Sequence, residues 1–174
     1  MLRRAERSCQ SLAAQSKGVY LHPPRNDSPN GIISPMTDFH FHHPIEVRYG
    51  DLDPQGHVNN ASHLTFFEQA RIAYMIELGL FTKDQSFMEI GIILADVHIT
   101  YHEPIYFGQH IKVGVHAAKL GNKSMTWEQN IVDAKTGKEL ARGAVVVVTY
   151  DYNEQKTINI PHEWREKIKQ FEGL

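Results

Sequence analysis

From residue 44 onward the apolar and polar positions follow a regular order. Ile45, Val47 and Tyr49 alternate with Glu46 and Arg48, the period-two pattern of a strand with one covered face. A loop rich in breakers follows, Gly50-Asp51-Leu52-Asp53-Pro54-Gln55-Gly56-His57. Asn59 or Asn60 then suits a helix N-cap. Residues 61–80 have helical length and strong helix formers, with Gly79 near the end. On a helical wheel Phe66, Phe67, Ala70, Ala73, Tyr74 and Leu78 form one wide face, and Leu64, Ile72, Met75 and Ile76 cover much of the remainder. A helix apolar nearly all round is expected to be buried on nearly all sides, wrapped by other elements.

The wrapping elements come next. Ile93, Ala95, Val97, Ile99 and Tyr101 alternate with Leu94, Asp96, His98, Thr100 and His102. Ile111, Val113, Val115 and Ala117 alternate with Lys112, Gly114, His116 and Ala118. Residues 125–132 read as a third strand, and Lys135-Thr136-Gly137-Lys138 as a turn before a fourth at 140–150. The apolar run 144–148 predicts that both faces of that strand are covered. Short turns favour an antiparallel meander. Residues 161–171 form a last, amphipathic and peripheral helix, with Pro161 in its first turn. The fold class is α+β: one long central helix inside a bent, five-stranded, mostly antiparallel sheet.

Residues 1–43 break this order. Pro23, Pro24, Pro29 and Pro35 leave no helical or strand period, so 1–43 reads as a flexible N-terminal extension and 44–174 as the folded domain. Arg3, Arg4 and Arg7 among Ser and Ala resemble a transit peptide in composition, whereas the apolar core of a secretory signal is missing. Met36 is an alternative start, and a chain beginning there is expected to fold and be active. The length of 174 residues suits one domain plus a tail. A hydrophobic share of 41% and a charged share of 22% argue against a disordered or collagen-like chain. The net charge of -2 lacks the basic excess of a nucleic-acid binder, and no apolar run reaches the ~18 residues of a membrane span. With Cys9 as the single cysteine no intrachain disulfide forms, which points to a reducing, cytoplasmic setting. Histidine numbers 11. His40, His42 and His43 lack matching ligand spacing, so they read as incidental surface residues and no metal is expected. His98, His102 and His116 fall on the polar face of their strands.

The candidate chemistry lies in the loop before the long helix. It gathers two carboxylates, an amide, a histidine and two asparagines at a helix N-terminus. Unpaired N–H groups and a partial positive charge there polarise a carbonyl oxygen. A carboxylate held opposite acts as nucleophile or as general base for water. Those parts suffice to hydrolyse an activated acyl group without a serine elbow.

The stretch Tyr49-Gly50-Asp51-x-Asp53-Pro54-x-Gly56, then Asn59-Asn60, then Phe67-Glu68-x-Ala70-Arg71, resembles the hot-dog-fold thioesterases, in particular the 4-hydroxybenzoyl-CoA thioesterase and small acyl-CoA thioesterase group. The resemblance covers about residues 44–155. It implies a hot-dog fold, acyl-CoA hydrolysis with no separate cofactor, Asp53 as the catalytic carboxylate and the backbone N–H near Asn60 as the carbonyl polariser. Ile93 to His102 and the run 144–148 offer more strand edge and apolar surface than one helix covers, so a homodimer pairing into a tetramer is expected; the resemblance agrees, implying sheets paired edge to edge with sites between protomers. Asp53-x-x-x-His57-Val58-Asn59-Asn60 is also similar to acyl-carrier-protein thioesterases, which have Asn where this chain has Gln55. Gly121-Asn122-Lys123-Ser124 resembles a stretch that contacts coenzyme A phosphates, so Lys123 and Ser124 join Gln55, Gly56 and Asn59 as candidate substrate-binding positions.

Each of these residues also has an ordinary structural reading. Asp53 suits a turn, Asp51 an Asx turn or cap, and Asn59 and Asn60 helix caps. His57 either assists proton transfer or shapes the loop. Glu68 is the rival helix carboxylate, expected to be partly desolvated among Leu64, Ile72 and Met75; its ordinary role is an i,i+3 pair with Arg71. Besides acyl-CoA hydrolysis, the same fold carries hydratases that use an Asp–His pair, and a non-catalytic acyl-CoA-binding module is a third reading. Phe66, Phe67, Met75, Leu80 and Phe87 are the candidate determinants of acyl length.

Overall fold

A computed structural model describes residues 39–81 and 90–174. Strand β1 (Phe41–Glu46) leads through a 3-10 turn (Tyr49–Asp51) to helix α1 (Asn60–Glu77). Strands β2 (Ile90–Tyr101), β3 (His110–Leu120), β4 (Ser124–Asp133) and β5 (Glu139–Asp151) follow, then a short β6 (Lys156–Thr157) and helix α2 (His162–Glu172). The sheet order is β1-β3-β4-β5-β2, with β6 on β5, and every pairing is antiparallel. The five long strands around one long helix match the expected α+β architecture, and β6 adds a two-residue edge piece.

Helix α1 lies on the inner face of this sheet. Phe66, Phe67, Ala70, Tyr74 and Met75 share one core with Val113, Val115, Trp127, Val145 and Val147. Each fully buried side chain of this size contributes roughly 1.5–3 kcal/mol. Gly143 on β5 permits the close approach, because a Cβ there would stand 2.6 Å from Phe67 Cε2 and 2.8 Å from the His98 carbonyl oxygen. The expected burial on nearly all sides does not hold within one chain. Leu64 and Glu68 are exposed, and Ile72 and Ile76 are half-buried. One concave sheet covers one side of a helix and leaves the other open.

Five further expectations are corrected. The first strand runs from Phe41, not Ile45, and so takes in Phe41, His42 and His43 from the stretch read as extension, together with Pro44. Pro44 is tolerated because, among the described strands, β1 pairs only with β3, and an edge strand has an outward side that needs no donor. Tyr49 leaves the apolar face of Ile45 and Val47, since the chain turns into the 3-10 helix there; it is 82% exposed. On β2 a bulge between Leu94 and Asp96 breaks the alternation, so Ile92 and Leu94, not Ile93 and Ala95, align with Val97, Ile99 and Tyr101. Finally, His116 is no mere surface group, nor is α2 peripheral. Trp164 and Ile168 of α2 are buried, and the buried Glu172 accepts from Tyr74 Oη (2.7 Å) and the Ala117 N–H (2.9 Å) while His116 Nδ1 lies 2.8 Å away. Burial and the Glu172 carboxylate push the Tyr74 phenol upward. The stretch 1–38, with Cys9 and Met36, lies outside the described residues, as does Phe87.

Candidate active site

The loop between β1 and α1 is tied at both ends. Arg48 and Asp51 close its start: the Arg48 N–H donates to Asp51 Oδ2 at 2.8 Å and the guanidinium to Oδ1 at 2.9 Å. These bonds hold the buried Asp51 carboxyl below the usual carboxylate range, against the opposing effect of burial. The Asp51 carbonyl then accepts the Asn59 N–H (2.8 Å) and the Ser62 hydroxyl (3.1 Å), which fixes the helix entry. Both carboxyl oxygens of Asp51 face Arg48, so its role is structural, as its cap reading expects.

Asp53 opens the inner turn. Its N–H donates to the His57 carbonyl at 2.9 Å, and the Gly56 N–H donates back to its carbonyl at 3.0 Å. Gly56 takes φ +87°, a conformation that favours glycine. The Asp53 carboxylate is turned inward, 14% exposed. Oδ1 accepts the Gln55 N–H at 2.9 Å, and Oδ2 lies 3.1 Å from His57 Nδ1. With its nitrogen toward the carboxylate, the Gln55 side-chain amide donates to both oxygens at 3.1 and 3.2 Å. Gln55 and Gly56 are themselves exposed turn residues.

Asn59 is the N-cap of α1, its Oδ1 accepting the Ala61 N–H at 2.9 Å. The next donor along, the Asn60 N–H, has no acceptor among the described residues. Asp53, His57 and Val58 from the loop and Asn60 from the helix line one cavity of about 440 Å³. His63 from α1, Tyr101 from the end of β2, and His102, Glu103 and Pro104 complete it. Burial, reinforced by the charge of His57, lowers the His63 pKa although its bond to the Asn59 carbonyl opposes this. His63 is thereby biased toward its neutral form in the cavity that Asp53 also lines. An exposed His43 on β1 was expected; it is half-buried, and burial depresses its pKa too.

Not every candidate is gathered here. Glu68 is exposed, not desolvated, and lines a different cavity of about 320 Å³ with Arg71 and Ile72. Its expected pairing with Arg71 is weak: Arg71 Nη1 donates to Gln129 Oε1 at 2.9 Å, and burial lowers the guanidinium to about 10 while the Glu68 charge opposes. Lys123 and Ser124 lie at the opposite end of the sheet from Asp53. The eleven residues of β3 span roughly 30 Å or more at ~3.3 Å each. Lys123 Nζ donates to the Thr157 carbonyl at 3.0 Å. His63, Tyr101, His102 and Glu103 were absent from the sequence-based set of site residues. A helix residue four after the cap was a readable signal for His63; the β2 end is brought in only by the tertiary fold. Among the described residues no group of three or more His, Cys, Asp and Glu is placed to hold a metal.

Comparison with known proteins decides the family. The sequence pattern of the thioesterase-like superfamily matches residues 47–168. The chain belongs to that superfamily. The long-chain acyl-CoA thioesterase FadM of Escherichia coli is 30% identical over 132 residues, covering 73% of this chain and 96% of the relative. The acyl-CoA thioesterase YbgC of Haemophilus influenzae is 26% identical over 130 residues, covering 74% and 93%. Among solved structures, a Thermus thermophilus thioesterase crystallised with coenzyme A and zinc superposes with a TM-score of 0.67 at 31% identity, covering 80% of this chain and 99% of that one. The fold is thus the hot-dog fold that the loop and helix motifs imply. No described helix is long and apolar enough to cross a membrane.

Proposed function

We propose that the chain hydrolyses acyl-CoA thioesters, adding water across the C–S bond to release a carboxylic acid and free coenzyme A. The observation that carries this reading is the pairing, in one cavity, of the inward carboxylate of Asp53 with the unclaimed N–H of Asn60. The N–H at a helix start stabilises the oxyanion that forms on the thioester carbonyl. Asp53 either attacks the carbonyl carbon or takes a proton from the attacking water. His57 holds the carboxylate through Oδ2. The relatives named for acyl-CoA hydrolysis, matched along most of their length, support the same chemistry. Hydrolysis by these groups needs no separate cofactor, since coenzyme A arrives as part of the substrate.

The working unit is a homodimer, assembling further to a tetramer. Strand β2 ends the sheet order on that side, and its residues 93–98 are all exposed. Ile93, Leu94 and Val97 put apolar surface along an unpaired backbone edge, an arrangement a second copy would cover. Only a second copy could bring Lys123 and Ser124 toward the phosphates of the bound coenzyme. The single cysteine fits a reducing, cytoplasmic setting.

Release of free thiol from a panel of short, long and aromatic acyl-CoAs tests this reading; no release from any of them would overturn it. One observation favours a second reading. The 3.1 Å contact of Asp53 with His57 is also the Asp–His pair of a hydratase, and water addition to an enoyl-CoA would identify it. Binding of acyl-CoA without turnover of either kind would leave the binding-module reading, and turnover of acyl carrier protein thioesters alone the carrier-protein one.

A further inference from the structure

His63 is the one buried imidazole at the cavity, and the chemistry above gives it no task. It is 4% exposed, on the first turn of α1. Its Nδ1 lies 3.1 Å from the Asn59 carbonyl oxygen. A carbonyl only accepts, so Nδ1 carries the proton and the ring is fixed as one tautomer. That carbonyl belongs to the same peptide plane as the Asn60 N–H. The Ser62 N–H also donates to that carbonyl, at 2.9 Å, and the ring adds a second, side-chain donor at the same end of the plane that carries the Asn60 N–H.

The neighbouring plane is fixed separately. Tyr101 Oη donates to the Asn60 carbonyl at 3.4 Å, and the Ala61 N–H is spent on the Asn59 side chain. Tyr101 in turn packs edge-on against the His63 ring, with centroids 4.9 Å apart. Two cavity side chains thus add contacts to the carbonyls of the N-cap and of the first helix residue, and the Asn60 N–H is left without an acceptor among the described residues. A hydrogen bond accepted at the carbonyl of an amide also polarises its N–H, through the cooperative effect that strengthens bonds in chains.

We propose that His63 is a positioning residue for thioester hydrolysis: through the Asn59 carbonyl it aims and polarises the Asn60 N–H that receives the developing oxyanion. This rests on the acyl-CoA thioesterase reading. It assigns His63 no proton transfer, since the Nδ1 proton is occupied by the Asn59 carbonyl.

The test compares His63→Phe, which keeps a ring against Tyr101 but has no donor, with His63→Asn, whose amide nitrogen reproduces the Nδ1–H. Thiol release from the best acyl-CoA of the panel is the first readout. His63→Phe should lower kcat roughly ten- to hundredfold, less than the ~10²–10³ for removing an oxyanion donor outright, with KM within about twofold. His63→Asn should restore most of the loss. Wild-type kcat in His63→Phe overturns the proposal, as does equal damage in both variants accompanied by a lowered melting temperature, which marks a role in folding alone. The second readout needs no turnover. In His63→Phe the carbonyl carbon resonance of Asn59 should shift relative to wild type, and in His63→Asn it should return toward wild type. An unchanged resonance overturns the proposal too. An inactive wild-type protein with the expected resonance shift would instead sink the thioesterase reading and leave the His63 contact standing.

Discussion

His57 Nδ1 sits 3.1 Å from Asp53 Oδ2, while the carboxylate's other oxygen accepts the Gln55 N–H at 2.9 Å. The carboxylate is thus held by the turn that carries it, and its orientation is set before any substrate arrives. If His57 only holds Asp53, His57→Ala should cost up to ~10² in kcat through misplacement, and His57→Asn, which can still donate from the same position, should cost less. Thiol-release kinetics on both variants check this. Equal losses as large as that of Asp53→Asn would make His57 the general base instead.

Asp51 should matter to stability and not to chemistry. Its folded pKa is depressed by Arg48, so its stabilising effect is present above the unfolded value near ~3.9 and is lost as pH falls through the lower folded value. Urea unfolding should show Asp51→Asn less stable than wild type at neutral pH, with the gap closing below about pH 4. A gap independent of pH would remove the Arg48 bonds as its cause.

Gly143→Ala should destabilise the fold by roughly 1–3 kcal/mol, the usual cost of overpacking. The new methyl meets Phe67 at 2.6 Å and the His98 carbonyl oxygen at 2.8 Å, and the backbone atom cannot swing aside as a side chain would. Thermal unfolding of the variant measures it; an unchanged midpoint would mean α1 has room to lift from β5.

The exposed edge of β2 predicts the assembly. Wild-type protein at micromolar concentration should sediment as a dimer or tetramer. Val97, 37% exposed in one chain, lies within the stretch to be covered, so Val97→Lys should shift the protein toward monomer and lower activity with it. A stable wild-type monomer would remove the proposed partner contact.

The helix and the four later strands were legible because their apolar periods are long and bounded by turns. That Asp53, His57 and Asn60 meet in one cavity was legible because they lie close together in sequence at one helix start. Where reading failed, the cause was usually an interaction distant in sequence. Pro44 enters β1 because β3 is its one partner among the described strands and leaves the other side open. The bulge near Ala95 follows from pairing with β5 and reverses which residues face inward. Tyr101, His102 and Glu103 reach the cavity because β2 crosses the sheet back to the helix start. His116 looked like a surface residue because Glu172, which it meets, lies 56 residues away.

The central claim is that the loop carboxylate performs the chemistry, and replacing that charge tests it most directly. Asp53→Asn keeps the size and hydrogen-bonding reach of the side chain but removes its negative charge. Steady-state thiol release should show kcat reduced by ~10²–10⁴, with KM little changed and the sedimentation of the protein unaltered. Asp51→Asn and Glu68→Gln, measured beside it, should each lose far less. Near wild-type turnover in Asp53→Asn together with an inactive Glu68→Gln would contradict the account and move the chemistry to the helix carboxylate.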